Sequence, residues 1–203
     1  VARVAEMARQ RQDELARTMT REEGKILREA MGEVRKGINA LEYYGGAGFR
    51  LRGQTAPSEL ADCFAYTIRR PLGVAGLITP WNFPWSIPCW KIAPALVAGN
   101  TVVFKPAELT PGIARILVEL FEKAGLPPGV LNMVVGPGSA VGESIVHHPA
   151  IKAVSFTGSN EVGKRVIAES ARLHKKVTCE MGGKTALVLM QEGAIDAAVA
   201  ATA

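Results

Sequence analysis

The sequence predicts an α/β fold, in which a Rossmann-like, doubly wound sheet of parallel strands begins at residue 72. Two observations predict it. From Leu72 onward, short apolar runs alternate with amphipathic stretches of helical period, the pattern of repeated strand–helix units. Several of these runs lack alternating polar residues, as expected of strands buried on both faces. Residues 1–62 and 63–71 lack that pattern and are predicted to be N-terminal helices with a connector, and a separate strand.

Composition limits the kinds of partner that this chain could have. Its 203 residues and 48% hydrophobic content suffice for a packed domain. Basic and acidic side chains are mixed along the chain, so the net charge of +5 predicts no nucleic-acid partner. No apolar run is long enough to cross a bilayer, so no membrane partner is expected. Three widely spaced cysteines favour a reducing, cytoplasmic location, and no metal-ligand cluster is visible.

The first part of the chain is predicted to be mainly helical. Residues 1–22 place apolar side chains on one stripe among charges, and Gly24 interrupts that pattern. A second helix follows and is predicted to end at Gly45-Gly46. After a polar connector over 50–61, Cys63–Arg70 alternates and is rich in β-forming residues, which predicts a strand.

The second part of the chain is predicted to contain four strands, each followed by a helix. The strands are predicted at Leu72–Thr79, Thr101–Phe104, Val130–Val135 and Ala153–Phe156. The helices are predicted over Ile87–Ala98, from Pro111 to Gly125, over Ala140–Val146 and after Gly158. Thr110 is the expected N-cap of the second of these helices. Further strands are expected at Val177–Glu180 and Ala186–Leu189, and a helix from Asp196 to Ala203.

Unusual residues follow each of the four strands. They are Trp81-Asn82, Lys105–Glu108, Gly136–Gly138 and Gly158-Ser159. Because the carboxyl ends of parallel strands meet at one edge of the sheet, where such folds bind ligands, the four turns predict a single site. The last turn joins a strand to a helix, an arrangement that can bind phosphate at the helix N-terminus. The alternative is that its glycine is present only because the backbone turn requires it.

Four side chains at or near these turns carry candidate chemistry. Lys105 and Glu108 together can hold the two hydroxyls of a ribose, or they form an exposed pair. A carboxylate at Glu108 would repel a 2′-phosphate, which favours NAD over NADP. The Asn82 amide can donate to a developing oxyanion, or it is a turn-former. Glu180, followed by two glycines, can act as a general base for water, or it is a structural carboxylate.

Taken together, four segments resemble in order and spacing those of the NAD(P)-dependent aldehyde dehydrogenases. The segments are Pro80–Pro84, Phe104–Glu108, Phe156–Ser159 with Gly163, and Glu180–Lys184. The resemblance extends over nearly the whole chain and is greatest to bacterial dehydrogenases of the 2-oxoglutarate and succinate semialdehyde type. It implies that residues 72–203 form that family's NAD-binding domain, incomplete at its C-terminus, that 63–71 belong to an oligomerisation arm, and that the parent protein is a homodimer or homotetramer.

The resemblance also implies roles for individual residues. Asn82 would donate to the oxyanion formed from a small-molecule aldehyde, and Glu180 would activate the water that hydrolyses a thioester. NAD, with NADP as the alternative, would be bound by Ile78, Thr79, Pro80, Trp81, Lys105, Glu108, Gly138, Gly158, Ser159 and Gly163. In that family a cysteine thiolate attacks the aldehyde, a hydride passes to the nucleotide, and water releases the carboxylic acid.

The sequence departs from the family in one respect. The nucleophilic cysteine of the family lies beyond the position that matches Glu180, and no Cys follows Cys179 here. Cys89 is expected in the core, and Cys179 is expected to face away from Glu180. The chain is therefore expected to be an interior fragment with no turnover by itself. The alternative is a non-catalytic nucleotide-binding or structural relative, but such a protein would need neither Asn82 nor Glu180.

Overall fold

The computed structural model describes residues 1–190 and 194–202, which form an α/β fold with helices on both faces of a parallel sheet. The described helices are α1 (Ala2–Gln10), α2 (Gln12–Glu23), α3 (Leu27–Gly45), α4 (Ser86–Val97), α5 (Pro111–Lys123), α6 (Glu143–His147), α7 (Asn160–Arg172) and α8 (Ile195–Thr202). The described strands are β1 (Thr55–Ala56), β2 (Ala65–Tyr66), β3 (Val74–Ile78), β4 (Thr101–Lys105), β5 (Leu131–Met133), β6 (Ile151–Gly158) and β7 (Lys176–Met181). A π-helical turn, Gly138–Gly142, runs directly into α6.

The main sheet has five strands in the order β5-β4-β3-β6-β7, and all neighbouring pairs are parallel. The chain builds outward from β3 to β4 and β5, then crosses to the other side of β3 and continues with β6 and β7. The direction of winding therefore reverses between β3 and β6. In doubly wound sheets a crevice opens at that point, beyond the carboxyl ends of the strands. The predicted fold class is confirmed, and a ligand site is expected at the reversal.

The N-terminal helices pack against α4 and α5 on one face of the sheet, and α6 and α7 cover the other face. The larger apolar core joins α1–α5 to β3 and β4 and includes the fully buried Trp85, Phe104 and Phe121. The smaller core joins α6, α7 and β6. The apolar stripe predicted over residues 1–22 supplies Val4, Leu15 and other side chains to the larger core.

The strand predicted over Cys63–Arg70 is present only as Ala65–Tyr66, where it pairs antiparallel with β1. Its partner, Thr55–Ala56, lies within the predicted polar connector. Phe64 and Tyr66 are 74% and 63% exposed, so this ribbon has no buried face. A two-stranded ribbon without a buried face has little to stabilise a longer ladder, which explains its short length.

The strand predicted at Ala186–Leu189 is wrong. Residues 182–190 have no helix or strand, and Leu187 and Val188 are 58% and 71% exposed. The apolar run has β-forming residues but packs against no sheet in the described chain, and β propensity expresses packing more than an intrinsic backbone preference.

Helix α5 begins at Pro111 as predicted, but its cap is not the Thr110 side chain. Instead, Glu22 of α2 accepts hydrogen bonds from the backbone N–H groups of Gly112 and Ile113, at 2.7 and 2.8 Å. A carboxylate satisfies these unpaired donors and also complements the positive end of the helix. The sequence spacing could not show this cap because Glu22 lies about ninety residues upstream.

Candidate functional site

The turns after β4 and β5 are joined at the carboxyl edge of the sheet. Glu108 Oε1 accepts a hydrogen bond from the backbone N–H of Gly138 at 3.2 Å, and Lys105 Nζ lies 4.0 Å from the same oxygen. Lys105 is almost fully buried, which lowers the pKa of its ammonium group, while the Glu108 carboxylate opposes that shift. Three of the predicted cofactor residues are therefore in contact in the structure.

A cavity of about 260 Å³ lies beside this contact, between α6 and α7, and we call it the first cavity. Ile78 of β3 and Phe156 of β6 line this cavity, and Gly138 lies at its edge. The remaining lining residues are Ser139, Gly142, Glu143, Val146, Val162, Arg165 and Val166. A slot with apolar walls and a few polar groups at the rim is suited to a flat aromatic ring.

The first cavity passes a simple test of fit for a nucleotide. A Cβ atom built on Gly138 would meet no atom within 4 Å, so this residue leaves the mouth of the cavity open. Glu143 and Arg165 form an ion pair that spans from α6 to α7 at the cavity wall. Glu108 reaches Gly138 from the neighbouring turn and Lys105 lies beside Glu108, and both carry polar groups able to hold ribose hydroxyls.

The turn after β6 places the N-terminus of α7 at the same edge of the sheet. Ser159 is the N-cap of α7, and its Oγ accepts the N–H of Val162 at 3.3 Å. A Cβ on Gly163 would lie 2.3 Å from Met181 Sδ, and one on Gly158 would lie 2.5 Å from the Phe156 ring. Gly163 thus allows α7 to lie close against the sheet, with its positive end at the carboxyl edge, and Gly158 leaves room for the Phe156 ring of its own strand.

The segment after β3 leaves the sheet next to β4. The backbone N–H of Thr79 donates to Lys105 O at 3.1 Å, and the Thr79 side chain is buried. The following residues turn outward: Pro80 is half-buried, whereas Trp81 and Asn82 are exposed at the carboxyl edge. Both belong to the predicted site, and the structure presents both side chains to solvent.

Glu180 lies in a second cavity of about 490 Å³, on the other face of the sheet. The residues lining this second cavity are Ile87, Trp90, Lys91, Pro94, Ser155, Thr157, Thr178 and Glu180. Neighbouring residues of a strand point to opposite faces, so Ser155 and Thr157 face this cavity while Phe156 faces the first. Cys179 packs with the smaller core, on the face opposite to Glu180, as the alternation predicted.

Lys91 is a site residue that the sequence prediction missed. Lys91 is only 8% exposed, and its Nζ donates a hydrogen bond to Ser155 Oγ at 2.7 Å. Ser155 Oγ also accepts a hydrogen bond from Thr178 Oγ1 at 2.9 Å. Burial lowers the pKa of the Lys91 ammonium group, and the Glu180 carboxylate opposes the shift. The available signal was a lone charged residue within the apolar helix Ser86–Val97.

Replacing Lys91 with methionine is expected to stabilise the fold. A lysine pKa that is lowered on folding means that the folded state disfavours the ammonium form. The resulting cost is fully present below the folded pKa and disappears as the pH rises toward the ordinary lysine value. Lys91→Met removes that cost while Thr178 still satisfies Ser155.

We expect the free energy of unfolding to rise by about 1 kcal/mol near neutral pH and the gain to shrink at about pH 10. Urea denaturation at both pH values measures this difference. Lys123→Met, at an exposed position at the end of α5, is the control and is expected to change little at either pH. Destabilisation by Lys91→Met near neutral pH would show that its contacts outweigh the desolvation cost.

None of the three cysteines lines either cavity. Cys89 is fully buried, and burial raises the pKa of its thiol well above the ordinary value. Cys179 is half-buried, with a thiol pKa that burial also raises. Cys63 is exposed, just before β2. A thiol with a raised pKa is a poor nucleophile near neutral pH, so neither Cys89 nor Cys179 suits attack on a carbonyl group.

In the part of the chain that the structure describes, no group of three or more His, Cys, Asp or Glu residues is arranged to hold a metal ion. Residues 1–190 and 194–202 likewise contain no helix with the length and apolar character needed to cross a membrane.

Comparison with known proteins gives a match to the Aldehyde dehydrogenase family over residues 1–203. The chain is 47% identical over 199 residues to the alpha-ketoglutaric semialdehyde dehydrogenase of Bacillus subtilis, which aligns 98% of this chain and 41% of that protein. It is 50% identical over 187 residues to the 2,5-dioxopentanoate dehydrogenase of Saccharolobus solfataricus, aligning 91% of this chain and 39% of that protein. The chain thus spans about two fifths of the length of these relatives.

Among solved structures, the fold is similar to that of a betaine aldehyde dehydrogenase from Staphylococcus aureus in complex with NAD⁺. The TM-score is 0.87 at 35% sequence identity, and the match covers 90% of this chain and 36% of that one.

Proposed function

The chain belongs to the aldehyde dehydrogenase family, and from that premise we propose that the whole protein oxidises a semialdehyde to the dicarboxylic acid with NAD or NADP. The two relatives above, at 47% and 50% identity, both carry names of semialdehyde-type dehydrogenases, which supports this class of substrate. The observation that carries the proposal is the contact of Lys105, Glu108 and Gly138 at the mouth of the first cavity.

The residues of this chain would hold the nucleotide in the following way. The adenine ring would enter the first cavity between α6 and α7, past Gly138. Lys105 and Glu108 would bind the hydroxyls of the adenosine ribose. The N-terminus of α7, with Gly158, Ser159 and Gly163, would face the pyrophosphate, and Ile78–Trp81 would line the cleft. The bound nucleotide supplies hydride acceptance, the chemistry that side chains lack.

Two side chains of this chain would act on the substrate. The exposed Asn82 amide would donate a hydrogen bond to the oxyanion that forms when a thiolate attacks the aldehyde carbonyl carbon. That attack gives a thiohemiacetal, which becomes a thioester once its carbon gives up a hydride. Glu180 would take a proton from the water that hydrolyses this thioester, releasing the acid and the thiol. The thiolate itself would come from outside these 203 residues, because none of the three cysteines lines either cavity and burial raises the thiol pKa of Cys89 and Cys179.

We also propose how the chain is divided into segments. We assign residues 1–62 to the N-terminal helices and connector, 63–71 to an oligomerisation arm and 72–203 to the nucleotide-binding domain. The arm carries exposed Phe64 and Tyr66, whose rings are 5.6 Å apart, and such apolar surface suits contact with a second copy in a homodimer or homotetramer. Free, unpaired cysteines support a cytoplasmic location.

The direct test is an assay of the whole purified protein for nucleotide reduction with 2-oxoglutarate semialdehyde and succinate semialdehyde. We expect turnover with at least one of them, and none from the 203-residue chain alone. A whole protein that binds NAD but reduces it with no aldehyde would instead be the non-catalytic nucleotide-binding relative. Sustained turnover by the 203-residue chain would refute the assignment of the thiolate.

Glu108 is expected to set the preference between the two nucleotides. Its carboxylate is half-exposed at the position proposed for the ribose, where it would repel a 2′-phosphate. Glu108→Gln removes the charge but keeps an oxygen that can accept from Gly138 N–H. We expect the ratio of kcat/KM with NADP to kcat/KM with NAD to rise roughly tenfold, or about 1.4 kcal/mol.

The control for this comparison is Glu122→Gln, which removes a carboxylate from an exposed position on α5 outside both cavities. It is expected to leave the nucleotide ratio unchanged. An equal ratio in Glu108→Gln and the native protein would place the 2′-position of the ribose away from Glu108.

A further inference from the structure

A largely buried ion pair joins Lys25, in the connector between α2 and α3, to Glu33 of α3, and it contacts the segment from Asn82 to Ser86, which we call the turn. We propose that Lys25 and Glu33 are positioning residues, which fix the backbone on both sides of Phe83-Pro84 and thereby aim the Asn82 amide. The inference rests on the proposed function of Asn82 and extends it to a part of the chain that lies outside both cavities.

Glu33 holds the far end of the turn. It is 3% exposed, and its Oε1 accepts hydrogen bonds from the backbone N–H groups of Trp85 and Ser86, both at 3.0 Å. These residues are the N-cap and the first residue of α4, and no side chain of α4 itself caps this end. The carboxylate therefore satisfies donors that would otherwise lack a partner and complements the positive helix end.

Lys25 holds the near end of the turn. Its Nζ donates to the backbone carbonyl of Asn82 at 2.7 Å and pairs with the second carboxylate oxygen of Glu33. The ammonium group also lies 4.4 Å from the centroid of the Phe83 ring. One ion pair thus contacts Asn82, Phe83, Trp85 and Ser86, which are all the residues of the turn except Pro84.

This arrangement matters because the Asn82 side chain is itself exposed and lies in neither a helix nor a strand. A hydrogen bond to an oxyanion weakens steeply when its donor moves or rotates, so the direction of the amide depends on the backbone that bears it. Both holding groups come from more than fifty residues upstream, which makes the placement of Asn82 a property of tertiary packing.

The first test measures the turn directly and does not depend on activity. Hydrogen–deuterium exchange of the Trp85 and Ser86 amides is compared in the native whole protein, Lys25→Met and Lys36→Met. Without Lys25, the buried carboxylates of Glu33 and Glu23 both lose their ion-pair partner, so we expect these amides to exchange about tenfold faster. Lys36 also lies near the Phe83 ring, at 5.6 Å, but has no hydrogen bond to the turn among the described contacts, so its variant is expected to retain protection.

The second test is a double-mutant cycle for aldehyde oxidation by the whole protein. Asn82→Ala is expected to lower kcat/KM by about 10²–10³-fold. Lys25→Met is expected to lower it about tenfold in the native background but less than about twofold in the Asn82→Ala background. Lys25→Arg keeps the charge and the donors and is expected to restore most of the activity. The Kd for NAD is expected to remain unchanged in every variant.

The outcomes separate this inference from the function on which it rests. Native protection of Trp85 and Ser86 in Lys25→Met would overturn the holding role. Equal losses of kcat/KM in the two backgrounds would show that Lys25 supports the fold generally and has no specific link to Asn82. If the native whole protein oxidises no aldehyde, the proposed function fails, and the exchange measurement still decides whether the ion pair holds the turn.

Discussion

Replacing Glu180 with glutamine in the whole protein is expected to lower steady-state turnover by about 10²–10⁴-fold. Glutamine has nearly the same size and shape as glutamate and would still line the second cavity, but it cannot take a proton from water. In the proposed reaction thiolate attack and hydride loss would precede hydrolysis, so each active site is expected to reduce one nucleotide rapidly and then stall. Stopped-flow absorbance of the reduced nucleotide measures both the burst and the slow phase that follows.

Glu119→Gln provides the comparison for this experiment. Glu119 lies on α5, where it pairs with Arg115 at 2.6 Å and lines neither cavity, so steady-state turnover is expected to match the native protein. Loss of the burst itself in Glu180→Gln would place the carboxylate in an earlier step. An unchanged steady-state rate would remove Glu180 from the reaction.

Replacing Trp85 with alanine is expected to have the largest effect on stability. Trp85 is fully buried, its indole Nε1 donates to Val34 O at 3.2 Å, and α3 approaches it so closely that a Cβ on Gly37 would lie 2.3 Å from the ring. Removal of the ring leaves a large cavity and removes the indole hydrogen bond to Val34 O. We expect the free energy of unfolding to fall by about 3–5 kcal/mol, measured by urea denaturation.

Trp81→Ala is the matched control, because Trp81 lies four residues away and is 53% exposed. Its replacement is expected to cost less than about 1 kcal/mol. If Trp85→Ala lowered the free energy of unfolding as little as Trp81→Ala does, the interface between α3 and α4 would have relaxed to fill the space left by the ring. Since a small domain is stable by only about 5–15 kcal/mol, the expected loss at Trp85 is enough to reduce the folded population at raised temperature.

The parallel sheet could be predicted from the sequence because its strands are short, continuous apolar runs between glycine and proline residues. The residues at its carboxyl edge could also be predicted, since topology alone brings the turns after β3, β4, β5 and β6 together. The contact of Lys105, Glu108 and Gly138 follows from that rule. Such predictions depend on local pattern and on the handedness of strand–helix connections.

The features that were missed depend on partners distant in the sequence. Glu22 caps α5, Glu33 caps α4, and Lys25 binds the Asn82 carbonyl, each across more than fifty residues. Lys91 became visible as a site residue only when β6 and β7 placed Ser155 and Glu180 beside it. Hydrophobic periodicity and turn residues do not reveal contacts between side chains distant in the sequence. A Glu or Lys that makes such a contact has the same neighbours in the sequence as one that is simply exposed.

The position of β3 at the centre of the sheet has a consequence for how the protein folds. β4 is the next strand after β3 in the sequence, with only α4 between them. β6 also pairs with β3 but is separated from it by α4, β4, α5, β5 and α6. Loop-closure entropy makes the β3–β6 pairing the slower of the two. The first cavity draws residues from both strands, so a nucleotide bound there would link the early and late halves of the sheet and slow their separation during unfolding.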